Sequence, residues 1–521
     1  MKKHLIQLSA WARHEWPTIG VIILGISAQL FLVTRSIDFL FDNVLPDDAF
    51  YYFGVASNIA QGLGPTFDGL NATNGYHPLW MLVLVLLFKF AAGSAPLITP
   101  IKAALLLQVA MNAVTAFLVA RVLARFTAST WTRSFGMVIW MLNPFLLYET
   151  LNGLETSLAL LLFAFFFMLA LRVEEGKPIG GHWFIGIVGG CMTLARLDMG
   201  LYVFVFLVWI LARHGWKNGW PKAALSSAFA AFPVLPYFAW NLFNFRMLLT
   251  SSSGAETLIN HVLIVQDHGT STFQFLKAII YNSQYELDYF FRSTGMYSLG
   301  AGFIGAFSAL SLTGSIRIPR RLREIPVALA LFTGFVLLFI ADASIRWTAR
   351  SWYFVSFEMF LSILVVIVAD ILFRNINYKR TSASILLALV LFSFYVDWSK
   401  NLRTVNNERA GQKTLRDAAE WMNENLPKGA VRGSFTAGIQ GYFSTSPLID
   451  LDGLVSNTAY AAMKKRELWD FIEKNVEYLS VYDNHFTYRY KSVFGIDDPL
   501  ARLKFIAEIP GTGGLKIYQV R

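Results

Sequence analysis

The sequence predicts a polytopic α-helical membrane protein that ends in a soluble α/β domain. Three observations carry this. Hydrophobic residues fill 55% of the 521 positions and charged residues only 15%, against roughly a quarter in soluble chains. Apolar stretches long enough to span a bilayer, or nearly so, recur from residue 17 to residue 398. Beyond Lys400 the pattern changes to one amphipathic helix and a series of short β-like runs.

The apolar stretches fall at about 17–34, 79–93, 100–121, 134–148, 156–172, 183–197, 199–212, 222–243, 297–316, 325–341, 352–373 and 382–398, with no repeat period. The first has a basic lead-in (Lys2, Lys3, Arg13) and no small-residue cleavage site, so it reads as an uncleaved first helix. The net charge of +10 lies mostly in short clusters between these stretches, where it sets topology and does not point to nucleic acid. Basic clusters at Arg213/Lys217/Lys222, Arg317/Arg320/Arg321/Arg323 and Arg374/Lys379/Arg380, with the basic amino terminus, are placed in the cytoplasm. Segments 34–78, 244–296, 342–351 and the carboxy-terminal region then face the other side.

The front half conflicts with this count. Arg121, Arg125 and Arg133 ask for a cytoplasmic loop, whereas simple counting puts that loop outside. An odd number of crossings is required, so one block between 79 and 155 is broken, re-entrant or miscounted, and 11–13 spans are expected. Residues 47–61 read as a surface helix between Pro46 and the Gly62/Gly64 pair, and 271–292 has the same juxtamembrane character. The division expected is a membrane module, 1–398, with external loops 34–78 and 244–296, followed by an α/β domain, 399–521. In the latter, helices fall at 412–425 and about 457–474, and strands at 430–435, 448–451, 476–482, 503–508 and 515–520. The one cysteine, Cys191, excludes an intramolecular disulfide and a cysteine metal cluster.

An ionised side chain at the centre of a spanning helix costs roughly 2.5–3.5 kcal/mol on insertion scales, so those that persist are functional candidates. Here they gather on one predicted face: Asp47, Asp48, His77, Glu155, Arg196, Asp198, Asp342, Arg346 and Arg350. Adjacent helical side chains point about 100° apart, so one of Asp47 and Asp48 can face a cavity while the other caps the helix. A cavity-facing carboxylate is a general base or a cation ligand. His77 is either an interfacial residue bonded to backbone or a metal or phosphate contact. Glu155 can cap the helix that follows it, and Arg196 and Asp198 can form an internal ion pair. The turn from Asp342 to Tyr353 carries Arg346 and Arg350, whose planar forks match phosphate oxygens or lipid headgroups. P-loop, GxGxxG, HExxH and GxSxG patterns are absent, which removes support for ATP-driven transport and zinc-protease chemistry.

Several ordered motifs resemble the GT-C superfamily of polytopic glycosyltransferases, particularly bacterial members of the family 39 type. They are Asp47-Asp48-Ala49-Phe50-Tyr51-Tyr52, Asn74-Gly75-Tyr76-His77-Pro78-Leu79-Trp80, Asn152-Gly153-Leu154-Glu155-Thr156, Leu194-Ala195-Arg196-Leu197-Asp198, Arg350-Ser351-Trp352-Tyr353 and Asp450-Leu451-Asp452-Gly453-Leu454. The resemblance implies a GT-C-like fold in the inner (cytoplasmic) membrane, with the active site and the C-terminal domain extracytoplasmic. It implies transfer of a sugar from a polyprenyl-phosphate donor to a glycan, lipid or protein acceptor, with inversion. Asp47, by its place in the motif, is the expected base and Asp48 its support. His77, Glu155, Arg196, Asp198, Arg346, Arg350 and Tyr353 are the expected substrate and phosphate contacts. Asp48 and His77 are candidate ligands for a divalent ion, Mg or Mn, although one Asp plus one His is too few for a hard cation. Family 39 relatives often carry Asp-Glu and His-Pro-Pro where this chain has Asp47-Asp48 and His77-Pro78-Leu79, so sugar and acceptor preferences are not carried over. A lipid or sugar transporter (a flippase of the cell envelope) is the alternative, and a non-catalytic envelope scaffold a third.

Overall fold

The computed structural model describes residues 2–91, 97–268, 326–344, 350–375 and 411–521, with isolated positions between 276 and 290. Expected spans 297–316 and 382–398, and Arg346, lie outside the described residues. Four helical stretches are long and apolar enough to cross a membrane on length and composition alone: Glu15–Thr34, Ile98–Leu123, Thr156–Glu174 and Leu197–Phe245. Pro78–Phe90, Gly181–Ala195 and Pro326–Asp342 are apolar but shorter.

Polar contacts at the helix ends show how the chain runs between two ends of the bundle. Helix α1 (Lys2–Thr34) starts at the end where Glu15 pairs with Arg133 at 2.6 Å. This is the basic end. Helices α2 (Ile37–Asn43) and α3 (Asp47–Ala60) then lie at the other end, and Pro46 fixes the entry to α3. Helix α4 (Pro78–Ala91) follows. It does not change ends. Its first turn adjoins His77, whose backbone N–H donates to Tyr52, and its last turn stacks Phe88 on Phe53 of α3. Just beyond it, the Leu97 carbonyl accepts from Tyr442 of the C-terminal region, and Lys102 reaches the Arg35 carbonyl. Fourteen residues give a helix of about 21 Å, short of the roughly 30 Å hydrocarbon core.

Helix α5 (Ile98–Leu123) therefore runs towards the basic end, where Arg125 meets Glu175. Both ends of α4 lie at the site end of the bundle, so the charge count no longer conflicts if the block at 79–93 is not counted as a crossing. Helices α6 (Thr130–Leu142) and α7 (Pro144–Glu149) return alongside α1, with Thr18 bonded to Ser134 and Gln29 to Thr150. The break between them is at Asn143, whose side chain caps α7 ahead of Pro144. Helix α8 (Thr156–Glu174) descends and α9 (Gly181–Ala195) climbs back. Helix α10 (Gly200–Phe245) descends, turns at Gly215 and climbs again; Gly215 has φ 70° and ψ 163°, which a side chain would not tolerate there. The stretches expected at 199–212 and 222–243 are thus joined by a single-residue kink set among Arg213, Lys217 and Lys222.

Helix α11 (Ser251–His268) begins beside the site end. Helix α12 (Pro326–Ser344) rises from Glu174, which accepts the Val327 N–H, and α13 (Phe357–Asn375) descends to Asp370, bonded to Thr127.

The C-terminal region forms a sheet in the order β2-β1-β3-β5-β4: Arg432–Ser434 (β1), Leu448–Asp450 (β2), Tyr478–Val481 (β3), Leu503–Glu508 (β4) and Lys516–Val520 (β5). The first three are parallel, and β5 and β4 are antiparallel additions. All five expected strands are present. Its helices are α14 (Lys413–Asn425), α15 (Ala437–Phe443), α16 (Asn457–Lys465) and α17 (Leu468–Asn475). The single helix expected at 457–474 is broken at Arg466, which adopts φ 60°. One apolar core runs without interruption from Phe50 and Phe53 of α3 into Ile439, Leu448 and Ile517 of this region. The other face of the sheet packs on Ala255 and Ile259 of α11.

Candidate functional site

Two connected chambers lie between the bundle and the C-terminal layer. The larger, about 380 Å³, is walled on the bundle side by His77, Glu155, Arg196, Asp198 and Asp342. The smaller, about 220 Å³, reaches into the C-terminal layer towards Asp452, His485 and Arg489. Asp48, Tyr51, Glu256, Arg350, Trp352 and Leu454 border both.

The periodicity of α3 divides its motif between two tasks. Asp47 and Tyr51, four residues apart, point the same way. Both meet the amino terminus of α15: Ala437 N–H donates to the Tyr51 hydroxyl, Gly438 N–H to Asp47 Oδ2 at 3.2 Å, and Ile439 N–H to Asp47 Oδ1 at 2.6 Å. These are three of the amide groups that a helix cannot satisfy internally. Gly438 is required by the closeness of this contact, since a Cβ there would lie 2.2 Å from the Asp47 carbonyl oxygen. Burial raises the Asp47 carboxyl to about 7, against the opposing bond from Ile439 and with Asp48 adding to the rise. Asp47 also borders the smaller chamber, whereas Asp48, turned away by one residue, borders both and accepts no hydrogen bond among the described residues. Arg350 is close enough to feel its charge.

The second motif is a seat for the C-terminal layer. The buried Asn74 donates to Asn241 Oδ1 and the Leu249 carbonyl, and accepts from Ser251 N–H and Asn457 Nδ2. Gly75 passes so close to Leu454 that a Cβ would lie 1.8 Å from its carbonyl oxygen. The Tyr76 carbonyl accepts from Tyr237. His77 Nδ1 accepts the Leu197 N–H at 3.4 Å, and Nε2 faces Glu155 at 3.7 Å. Burial lowers the imidazole below its ordinary value, and the Glu155 charge opposes the shift.

Arg196 is committed within the protein. Its Nε and Nη2 clasp Asp198 at 2.8–3.0 Å, Nη1 donates to the Trp352 carbonyl, and the guanidinium lies 4.9 Å from the Tyr353 ring centroid. The internal ion pair is therefore what the geometry holds, and Arg196, Asp198 and Tyr353 lock two turns together at the chamber wall. Arg350 stacks near Trp352 at 5.8 Å and keeps its position on both chambers. Among the described residues no three His, Cys, Asp or Glu side chains converge to hold a metal ion. The His77 Nδ1 lone pair is engaged by Leu197, so the ligand pair expected at Asp48 and His77 gains no third member.

Two charged residues at the site, Glu256 and Arg489, stand in none of the motifs read from the sequence. Glu256 on α11 faces Arg489 at 3.9 Å across the chambers. Asp452 borders the smaller chamber, and burial beside Asp450 pushes its carboxyl well above the usual carboxylate range. Some 200 residues separate Glu256 from its partners in the chain, and no local pattern links them. Asp452 belongs to the motif Asp450-Leu451-Asp452-Gly453-Leu454, and its carboxylate accepts the Leu454 N–H just after β2.

This arrangement, a helical membrane bundle with short helices at one end covered by an α/β layer, is the GT-C fold. The chain superposes on a crystal structure of ArnT from Cupriavidus metallidurans bound to undecaprenyl phosphate, with TM-score 0.57 and 13% identity, over 96% of this chain and 98% of that one. The apo ArnT structure gives TM-score 0.56 at 12% identity, with the same coverage. The Archaeoglobus fulgidus oligosaccharyltransferase, tethered to an acceptor peptide through a disulfide bond, matches with TM-score 0.57 and 13% identity, over 98% of this chain and 75% of that one. Residues 400–518 match the model of a domain of unknown function, DUF8728. No curated protein matches the sequence.

Proposed function

We infer that the chain is a membrane glycosyltransferase that moves a sugar from a polyprenyl-phosphate-linked donor to an acceptor hydroxyl in the paired chambers. The observation that carries this is a carboxylate and a guanidinium, Asp48 and Arg350, bordering the same two connected spaces beneath a folded cover. The likeness to a structure holding undecaprenyl phosphate, and to one holding an acceptor peptide, supports a lipid-linked donor and a separate acceptor. The positive charge at the opposite end of the bundle supports an extracytoplasmic site in a bacterial inner membrane.

In this mechanism Asp48 takes the proton of the acceptor hydroxyl as its oxygen bonds to the anomeric carbon. The bond from that carbon to the phosphate oxygen breaks on the opposite face, which inverts the centre. Arg350 meets the charge that grows on the leaving phosphate. Arg196, tied to Asp198, positions the wall bearing Trp352 and Tyr353. The base role moves from Asp47 to Asp48 because both Asp47 oxygens receive backbone N–H groups of α15. No step is routed through a metal.

The test is transfer by the purified protein, reconstituted with a panel of polyprenyl-phosphate sugars. Sugar-dependent product is expected from the wild type. Asp48→Asn should lower kcat by about 10²–10⁴-fold while the donor still binds. Wild-type turnover in that variant would remove Asp48 as the base.

A further inference from the structure

The basic end of the bundle holds a cavity of about 590 Å³ that the transfer chemistry does not use. It opens between α1, α5 and α8. Four guanidinium groups line it, those of Arg121, Arg125, Arg133 and Arg172, and its remaining wall is apolar, including Ile22, Phe117 and Met168.

Carboxylates balance only part of this charge. Arg133 pairs with Glu15, and Arg125 and Arg172 share Glu175. Glu174 is turned elsewhere, accepting the Val327 N–H. Arg121 has no carboxylate partner among the described residues and lies 5.8 Å from the Phe117 ring centroid. Arg133 is 9% exposed, and its buried Nε has no hydrogen-bond partner. A buried donor left unmatched is costly, and an oxygen anion would satisfy it.

We propose that this cavity binds the phosphate and adjoining acyl chain of an anionic membrane phospholipid. The guanidinium cluster supplies the charge complement. The apolar wall continuing from it between the helices suits a hydrocarbon chain, and a free phosphate would leave that wall wet. The cavity sits at the end of the bundle where headgroups lie, and basic pockets between membrane helices take lipid phosphates by this chemistry.

The experiment uses the full chain in nanodiscs of phosphatidylcholine alone or mixed equally with phosphatidylglycerol, with retained lipid read by native mass spectrometry. The wild type should retain phosphatidylglycerol preferentially. Arg121→Gln should cut that preference about five-fold, the value of one arginine near an anionic surface. Ala120→Trp, which fills the apolar wall and leaves every charge in place, should also reduce retention. Equal retention of the two lipids by the wild type would overturn the proposal, as would unchanged preference in both variants. Displacement of the lipid by inorganic phosphate alone would assign the site to a soluble anion and overturn the lipid assignment.

Discussion

Substitution of Asp47 by Ala separates a docking role from a catalytic one. Its two oxygens receive the N–H groups of Gly438 and Ile439, the latter at 2.6 Å. Below about pH 7 the docked carboxyl is protonated, and a hydrogen bond between neutral groups contributes about 0.5–1.5 kcal/mol. With both bonds lost, the hold on α15 should weaken by about 1–3 kcal/mol. The loss falls on a local opening, since Tyr51 still accepts the Ala437 N–H and the aromatic contact between Phe50 and Tyr442 persists. Hydrogen exchange of the amides at 437–443 should therefore accelerate about 5- to 150-fold at a pH near 6, while amides in α5 and α8 keep their protection. Turnover should fall less than in Asp48→Asn. If α15 keeps wild-type protection in Asp47→Ala while turnover collapses, the docking role is refuted and Asp47 takes back the base role.

Two further outcomes follow from the same contact surface. The docked Asp47 carboxyl holds its proton to about pH 7, whereas a free one releases it near 4. Docking of the C-terminal layer should then be fully favoured below about pH 4 and lose that advantage as the pH rises through about 7; hydrogen exchange of the amides at 437–443 reports it, and Asp47→Asn should flatten the profile. Gly75→Ala places a Cβ 1.8 Å from the Leu454 carbonyl oxygen, so backbone must move on one side. It should cost about 1–3 kcal/mol or more and expose the Asn74–Asn457 clip, measured as a lower Tm and faster exchange at Asn457.

The sequence was most informative where one physical demand acted alone. All five strands of the C-terminal layer were legible as short β-like runs; β1 and β2 are buried along their whole length, as strands of a sheet covered on both faces are. The helix at 47–60 was legible from Pro46 and the glycines after it, but residues 49–56 are buried in the core shared with the C-terminal layer and do not lie on a membrane surface. Helix α4 was not, because Trp80, Met81, Leu84 and Phe88 pack on protein while Leu82, Leu86 and Phe90 stay exposed, and the composition is the same whether such a helix crosses or not. Only the charges at Arg121, Arg125 and Arg133 signalled that something in that block failed to cross. Apart from Arg346, the charged residues expected on one face all border the two chambers, since an ion in an apolar helix is conspicuous. Glu256 and Arg489 sit in polar surroundings, where a single charge stands out from nothing.

The two motifs at 47–52 and 74–77 look like a catalytic signature, yet most of their residues hold the cover. Asp47 and Tyr51 take the end of α15, Asn74 takes Asn457, and Gly75 makes room for Leu454, which itself borders both chambers. Asp48, Tyr52 and His77 face the bundle-side chamber from the same short segments. Alternating duties along one stretch of chain tie the position of Asp48 to the position of the cover to within a residue. The apolar core shared by Phe50, Ile439 and Leu448 carries the same consequence: the C-terminal layer is a wall of the site and part of its foundation. Truncation therefore cannot separate its effect on acceptor choice from its effect on folding. Point changes at Glu256 or Arg489 can, because both reach the chamber from outside that core.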